Sequence, residues 1–147
     1  MAALYSTGFA NLSTSKHRQD GLVLSDAYIT SVVRCAPPNN QPSPGEITNC
    51  QVHLRDEMAA LSRVRVVVAL GRVAFNAYWN WLTDQVVSVK PRPKFFHGLL
   101  YEPKAGPVLI SSYHPSLLNR NTGRLTPEML TDVFRQANRV IENTPSK

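Results

Sequence analysis

The sequence predicts an α/β fold built on a parallel sheet, and three observations carry that expectation. Nearly continuous apolar runs rich in β-branched residues stand at Ala27–Arg34, Val64–Leu70 and Val108–Tyr113, the pattern of strands covered on both faces. Between and after them lie stretches whose apolar residues recur at helical spacing. Strands that alternate with amphipathic helices close most simply as parallel pairs joined by crossovers. No internal repeat or second domain is visible, so residues 1–147 are read as one domain.

Each element has its own signal. Ala2 to Ala10 reads as a helix end broken at Gly8; it lacks an N-cap, as the tail of something longer would. Residues 11–21 form a polar loop, and Ala27–Arg34 follows as a buried strand. The stretch Cys35–Pro44 is too rich in proline for helix or central strand. It ends in a helix start, with Ser43 as N-cap, Pro44 at the first helical position and Glu46 closing a capping box. Ile47, Cys50, Leu54, Met58 and Leu61 then mark one face. Val64–Leu70 is the strongest strand, and Gly71 turns it into a helix carrying Val73, Ala74, Ala77, Tyr78 and Trp81. A Pro- and Lys-containing segment around 90–107 leads to the third strand. The last helix opens on Thr126 and Pro127, with Leu130, Val133, Phe134, Ala137 and Ile141 on one face.

Composition narrows the class. With 43% hydrophobic and 18% charged residues the chain is globular rather than disordered, and 147 residues suffice for a core. The formal charge of +6 favours a polyanionic partner such as nucleic acid. No apolar run approaches the ~20 residues of a membrane span. The N-terminus lacks the layout of a secretory signal, so a cytoplasmic protein with no membrane partner is expected. In that reducing compartment Cys35 and Cys50 are not expected to form a disulfide.

Ligands of such sheets gather at the carboxyl ends of strands, where the two chemically odd loops lie. His114-Pro115-Ser116 reads either as a strand-to-loop turn fixed by proline or as an imidazole N–H aimed at charge on a departing group. Leu117 and Leu118 either pack on the core or serve as a wedge into stacked bases. The polar, basic run Asn119, Arg120, Asn121, Thr122, Gly123 and Arg124 suits phosphates. Cys35 and Cys50 are either free thiols or ligands of a shared metal centre; an iron–sulfur cluster needs four thiolates and this chain has two. Gly71 marks a tight turn or a phosphate cradle at a helix start. His97, within Phe95-Phe-His-Gly98, ranks second among the histidines; His17 and His53 lack partners at ligand spacing.

Four segments taken together resemble the uracil-DNA glycosylase superfamily: Ala27-Tyr-Ile-Thr-Ser-Val-Val-Arg-Cys-Ala-Pro-Pro-Asn-Asn-Gln-Pro-Ser-Pro44 followed by Cys50, Val66-Val-Val-Ala-Leu-Gly71, Tyr113-His-Pro-Ser116, and Asn121-Thr-Gly-Arg-Leu-Thr-Pro127. The Arg-Cys-Ala-Pro-Pro form and the long tail resemble the iron–sulfur family 5 rather than family 4. The resemblance implies a three-layer α/β/α sandwich around a four-stranded parallel sheet. It implies a [4Fe–4S] cluster, with Cys35 and Cys50 matching the third and fourth ligands. The implied reaction is hydrolysis of the N-glycosidic bond of a deaminated base flipped from double-stranded DNA, by a monomer. His114 matches the residue that supports charge on the departing base. Pro115, Ser116, Leu117, Leu118, Asn119 and Arg120 match the loop pressed into DNA. Ser31 stands where relatives carry an asparagine that reads the base edge. Flipping fits the physics, because the scissile bond is unreachable inside the stack.

The chain departs from the family's pattern at its start. A strand ending in a Gly-, Ala- and Pro-rich water-positioning motif, and two further cysteines, have no counterpart after Met1. The expectation is therefore an N-terminally truncated domain whose first sheet strand is missing. The strands at Ala27 and Val64 would flank an open slot or re-pair, and the cluster would not be retained. The competing readings are a non-catalytic DNA-binding remnant of the same fold and a nucleotide-binding α/β domain using Gly71.

Overall fold

A computed structural model describes residues 1–37, 42–85 and 91–143. The middle of the proline-rich stretch, 38–41, and the start of the Pro- and Lys-containing segment lie outside the described residues. The elements in order are α1 (Ala2–Ser6), α2 (Pro44–Ala60), β1 (Val66–Leu70), α3 (Arg72–Gln85), β2 (Leu100–Tyr101), β3 (Val108–Ser112), α4 (Leu117–Asn121) and α5 (Pro127–Asn143).

The sheet runs β1-β3-β2. β1 and β3 are parallel, with Val66 opposite Val108 and Leu70 opposite Ser112. β2 is antiparallel to β3, with Leu100 opposite Ile110. Among the described residues the sheet is thus three-stranded and mixed, not the four-stranded parallel sheet implied by the resemblance. β2 escaped the sequence reading because two residues are too short to show a strand's period of two.

The strands alternate faces as their pleat requires. Val66, Val68 and Ile110 pack with Ala3, Phe9, Val133, Phe134 and Ala137, so α1 and α5 cover one side. Val67, Ala69 and Leu109 pack with Phe75, Tyr78, Trp79 and Leu82 of α3 on the other. Helices on both faces give the expected three layers. Leu82, Leu109 and Ile110 are fully enclosed, each contributing about 1.5–3 kcal/mol relative to exposure. The Asn138 amide donates to the Thr7 carbonyl at 2.8 Å, and Arg65 donates to the Ile141 carbonyl at 3.0 Å, tying α5 to α1 and to the start of β1.

Two helix starts form as read. Ser43 accepts the Glu46 N–H while the Glu46 carboxylate accepts the Ser43 N–H, the reciprocal capping box. The Thr126 hydroxyl accepts the Met129 N–H ahead of Pro127. The α3 face is partly as expected: Ala77 and Tyr78 are buried, but Val73 is exposed and Phe75, Trp79 and Leu82 join the buried side. α2 buries none of its residues fully. Its expected face is only half-buried, and an Arg55–Asp84 ion pair joins it to α3.

The Ala27–Arg34 strand is not formed. The segment is irregular, with bends at Val32 and Arg34 and no ladder partner among the described residues, and Tyr28 and Ile29 are more than half exposed. A strand exists only where a neighbouring edge offers backbone groups. β1 is occupied by β3 on one side, and its other edge stays unpaired among the described residues. The expected re-pairing with the Ala27 segment does not occur. That segment is drawn instead to α2, where Tyr28 Oη, Thr30 Oγ1 and Arg34 Nη2 all donate to the Glu57 carboxylate at 3.0, 2.6 and 2.6 Å. The Thr30 hydrogen bond is the chief reason Glu57 titrates below the ordinary carboxylate range.

Candidate functional site

The parallel ladder ends where Gly71 N–H donates to the Ser112 carbonyl at 2.8 Å. This bond sets the turn after β1 beside the turn after β3. Gly71 has φ +102, and a Cβ there would lie 3.1 Å from the Cβ of His114. Both the backbone angle and the close approach demand glycine. Gly71 is therefore a tight turn whose service is to let His114 lie against it.

His114 is exposed at the carboxyl end of β3, the central strand. The Asn119 amide donates to the His114 carbonyl at 2.8 Å. Ser116 N-caps the short helix α4, accepting the Asn119 N–H at 3.3 Å. The loop closes where Leu125 N–H donates to the Asn119 carbonyl and the Leu125 side chain is buried. Ser116 and Asn119 thus spend polar groups on shaping the loop. Arg120 is exposed and has no carboxylate partner among the described residues. Leu117 and Leu118 project from α4 at 71% exposure each, so neither packs on the core.

His97, ranked second in the sequence, is brought to the same place. Gly98 N–H donates to the Ser111 carbonyl and Ser111 N–H to the Leu99 carbonyl, extending the β2 ladder to the segment that carries His97. The ring stacks on Tyr113 at 5.3 Å. Its Nδ1 accepts the Tyr113 N–H at 3.3 Å and lies 3.3 Å from Ser112 Oγ. An amide can only donate, so Nδ1 carries no proton and the imidazole is neutral there. Burial is the main reason its pKa is held below the ordinary 6.5, opposed by a hydrogen bond to the Met129 backbone.

The pH dependence follows by linkage. As pH falls below 6.5 the unfolded chain protonates His97 first, so the folded state loses stability from there down to the lower folded pKa. Above 6.5 the residue contributes no slope. His97→Asn keeps an acceptor for the Tyr113 N–H but does not titrate. The melting temperature of the wild type should fall more steeply than that of the variant between pH 7 and pH 5; parallel curves would remove this role.

Cys35 is exposed, Cys50 half-buried, and neither is in a disulfide. Cys35 Sγ approaches Glu46 Oε1 at 4.0 Å, and Glu46 stands one turn before Cys50 on α2. The two thiols are thus brought toward one helix face. They supply two of the four thiolates a cluster needs, and the described residues hold no group of three or more His, Cys, Asp or Glu able to hold a metal ion. The donor set of this chain does not by itself fit a cluster. Ser31 is exposed beside the Glu57 contacts, and no hydrogen bond links it to the His114 loop among the described residues.

The described helices include none long and apolar enough to cross a membrane. The family model of the uracil DNA glycosylase superfamily matches residues 2–138. The chain therefore belongs to the uracil-DNA glycosylase superfamily. It is 42% identical over 140 residues to a type-5 uracil-DNA glycosylase of Mycobacterium bovis, covering 95% of this chain and 51% of that protein. A type-5 enzyme of Pyrobaculum aerophilum is 44% identical over 135 residues, covering 92% and 56%. A type-4 enzyme of Thermotoga maritima is 32% identical over 111 residues, covering 75% and 54%. The chain spans about half the length of these curated relatives.

Proposed function

We propose that the chain serves a DNA-repair glycosylase that hydrolyses the N-glycosidic bond of uracil, or another deaminated base, flipped out of double-stranded DNA. The supporting observation is the His114 loop: an exposed histidine at the end of the central strand, its side chain lying against Gly71 and its backbone carbonyl held by the Asn119 amide, beside two protruding leucines. In the reaction the bond between the sugar C1′ and the base nitrogen breaks, and the base leaves with the electron pair. Water supplies the new hydroxyl at C1′, and its remaining proton goes to solvent or to the base. His114 donates a hydrogen bond to the oxygen on which the departing base gathers charge. Pro115, Ser116 and Asn119 shape the loop, Arg120 contacts a phosphate, and Ser31 contacts the base edge. Cys35 and Cys50 would be two ligands of a [4Fe–4S] cluster whose other ligands this chain does not supply. The protein works as a monomer in the cytoplasm.

Leu117 and Leu118 act by prying the duplex open. The double variant Leu117→Ala, Leu118→Ala should weaken activity and binding on a duplex uracil far more than on single-stranded DNA, since only the duplex must be unstacked. At 71% exposure the leucines add little to the core, so the melting temperature should hold. Equal losses on both substrates would sink the wedge.

A further inference from the structure

Next to the His114 loop runs a second basic feature that the glycosylase reading leaves unused. Three guanidiniums lie on three aromatic rings: Arg124 over Tyr113 at 4.6 Å, Arg72 over Phe95 at 5.3 Å, and Arg92 over Phe75 at 5.7 Å. The rings themselves touch in series. Tyr113 meets Phe95 edge-on at 6.2 Å, and Phe95 meets Phe75 edge-on at 5.5 Å. Beyond them Arg72, Arg92 and Lys94 rim an open crevice of about 460 Å³, with Phe75, Asn76 and Phe95 in its wall. Arg72 directly follows Gly71, against which His114 lies, so the crevice and the histidine share one end of the sheet.

The electrostatics of this rim are unbalanced. Arg72, Arg92, Lys94 and Arg124 are exposed, and among the described residues none of them forms an ion pair; the pairs present are Arg34–Glu57, Arg55–Asp84 and Arg135–Asp132. Cations gathered without carboxylates repel one another until an anion arrives. A guanidinium held over a ring by this attraction keeps N–H donors for planar, bidentate contact with phosphate oxygens. The ring also fixes the fork beforehand, so less freedom is lost on binding. The Asn76 amide oxygen accepts from Arg92 and fixes that fork further. Phe75 is buried and Phe95 half-buried while the cations are exposed, so the crevice offers charge rather than a stacking surface for a base.

We infer that Arg72, Arg92 and Lys94 hold the phosphodiester backbone of the DNA strand as it runs away from the flipped nucleotide, with Arg124 contacting the backbone nearer His114. The inference rests on the DNA reading of the His114 loop and adds a second contact surface to it.

The test is the salt dependence of binding of Met1–Lys147 to a fluorescent duplex containing one uracil. Each phosphate contact adds about 0.9 to the slope of log K against log salt. Arg72→Gln, Arg92→Gln, Lys94→Gln should lower that slope by about 2–3. A control, Lys16→Gln, Lys104→Gln, Arg139→Gln, removes the same charge from exposed positions elsewhere and should leave the slope near wild type. Lys94→Gln alone touches no ring and spares the fold; it should lower the slope by about 0.9. An unchanged slope for Lys94→Gln, or equal losses in triple variant and control, would overturn the crevice while leaving the His114 loop intact. Displacement of the duplex by a nucleoside diphosphate at micromolar concentration would mark a small-molecule pocket and overturn it too. No binding of wild type to duplex even at low salt would overturn the DNA reading itself.

Discussion

Replacing His114 by alanine should slow uracil release in single turnover by about 10²–10³, equivalent to ~2.7–4 kcal/mol in the barrier. The expectation comes from position: the imidazole stands at the end of β3, seated against Gly71, and the Asn119 amide fixes the backbone that bears it. Because the ring is exposed, its loss leaves the core untouched and the melting temperature should stay within a degree or two. His114→Gln, which keeps a donor at slightly different reach, should recover part of the rate. The measurement belongs in a form of the protein that excises uracil at all, with substrate saturated by enzyme. Release by His114→Ala at the wild-type rate would remove His114 from the chemistry.

Purified Met1–Lys147 by itself should carry far fewer than four irons per chain and release almost no uracil from duplex DNA. Two thiolates cannot complete a four-thiolate site. The hydrolytic water also needs a group to orient it, and among the described residues no carboxylate forms an ion pair with the loop from Tyr113 to Leu125. A single missing group of that kind commonly costs 10²–10⁴ in rate. Iron analysis, absorbance near 400 nm and a uracil-release assay decide the matter. Four irons with multiple turnovers would show that this chain holds everything the reaction requires.

Much of the fold was legible because local signals and tertiary need agreed. The Ser43–Glu46 box and the Thr126-Pro127 start depend on neighbours three residues away, and both formed as read. Val66–Leu70 and the first three residues of β3, Val108 to Ile110, are apolar on both pleat faces because helices cover both. The Ala27–Arg34 run carried the same composition, yet composition cannot report whether an edge awaits it; here three side chains bind Glu57 instead. On α3 the expected Ala77 and Tyr78 are buried, and the aromatics Phe75 and Trp79 widen the buried stripe beyond them while Val73 faces out. At the site, His114 was legible from its place after a strand. The fit of Gly71 against it, the His97 brace and the guanidiniums on rings were not, because each joins residues far apart in the chain. Aromatics interleaved with basic residues in Arg92-Pro-Lys-Phe-Phe-His97 were the signal that could have drawn attention to the crevice.

The Glu57 contacts also set how the molecule comes apart. Among the described residues the segment from Tyr28 to Arg34 has no backbone ladder, and three of its side chains bind one carboxylate. Its opening is therefore a small, local event rather than a share of global unfolding. Its backbone amides should exchange with deuterium almost as fast as in a free peptide. Those of Leu109 and Ile110, sealed between two helical layers, should exchange only when the whole domain opens. The molecule thus has two tiers of cooperativity, and one acidic residue on α2 marks the border between them.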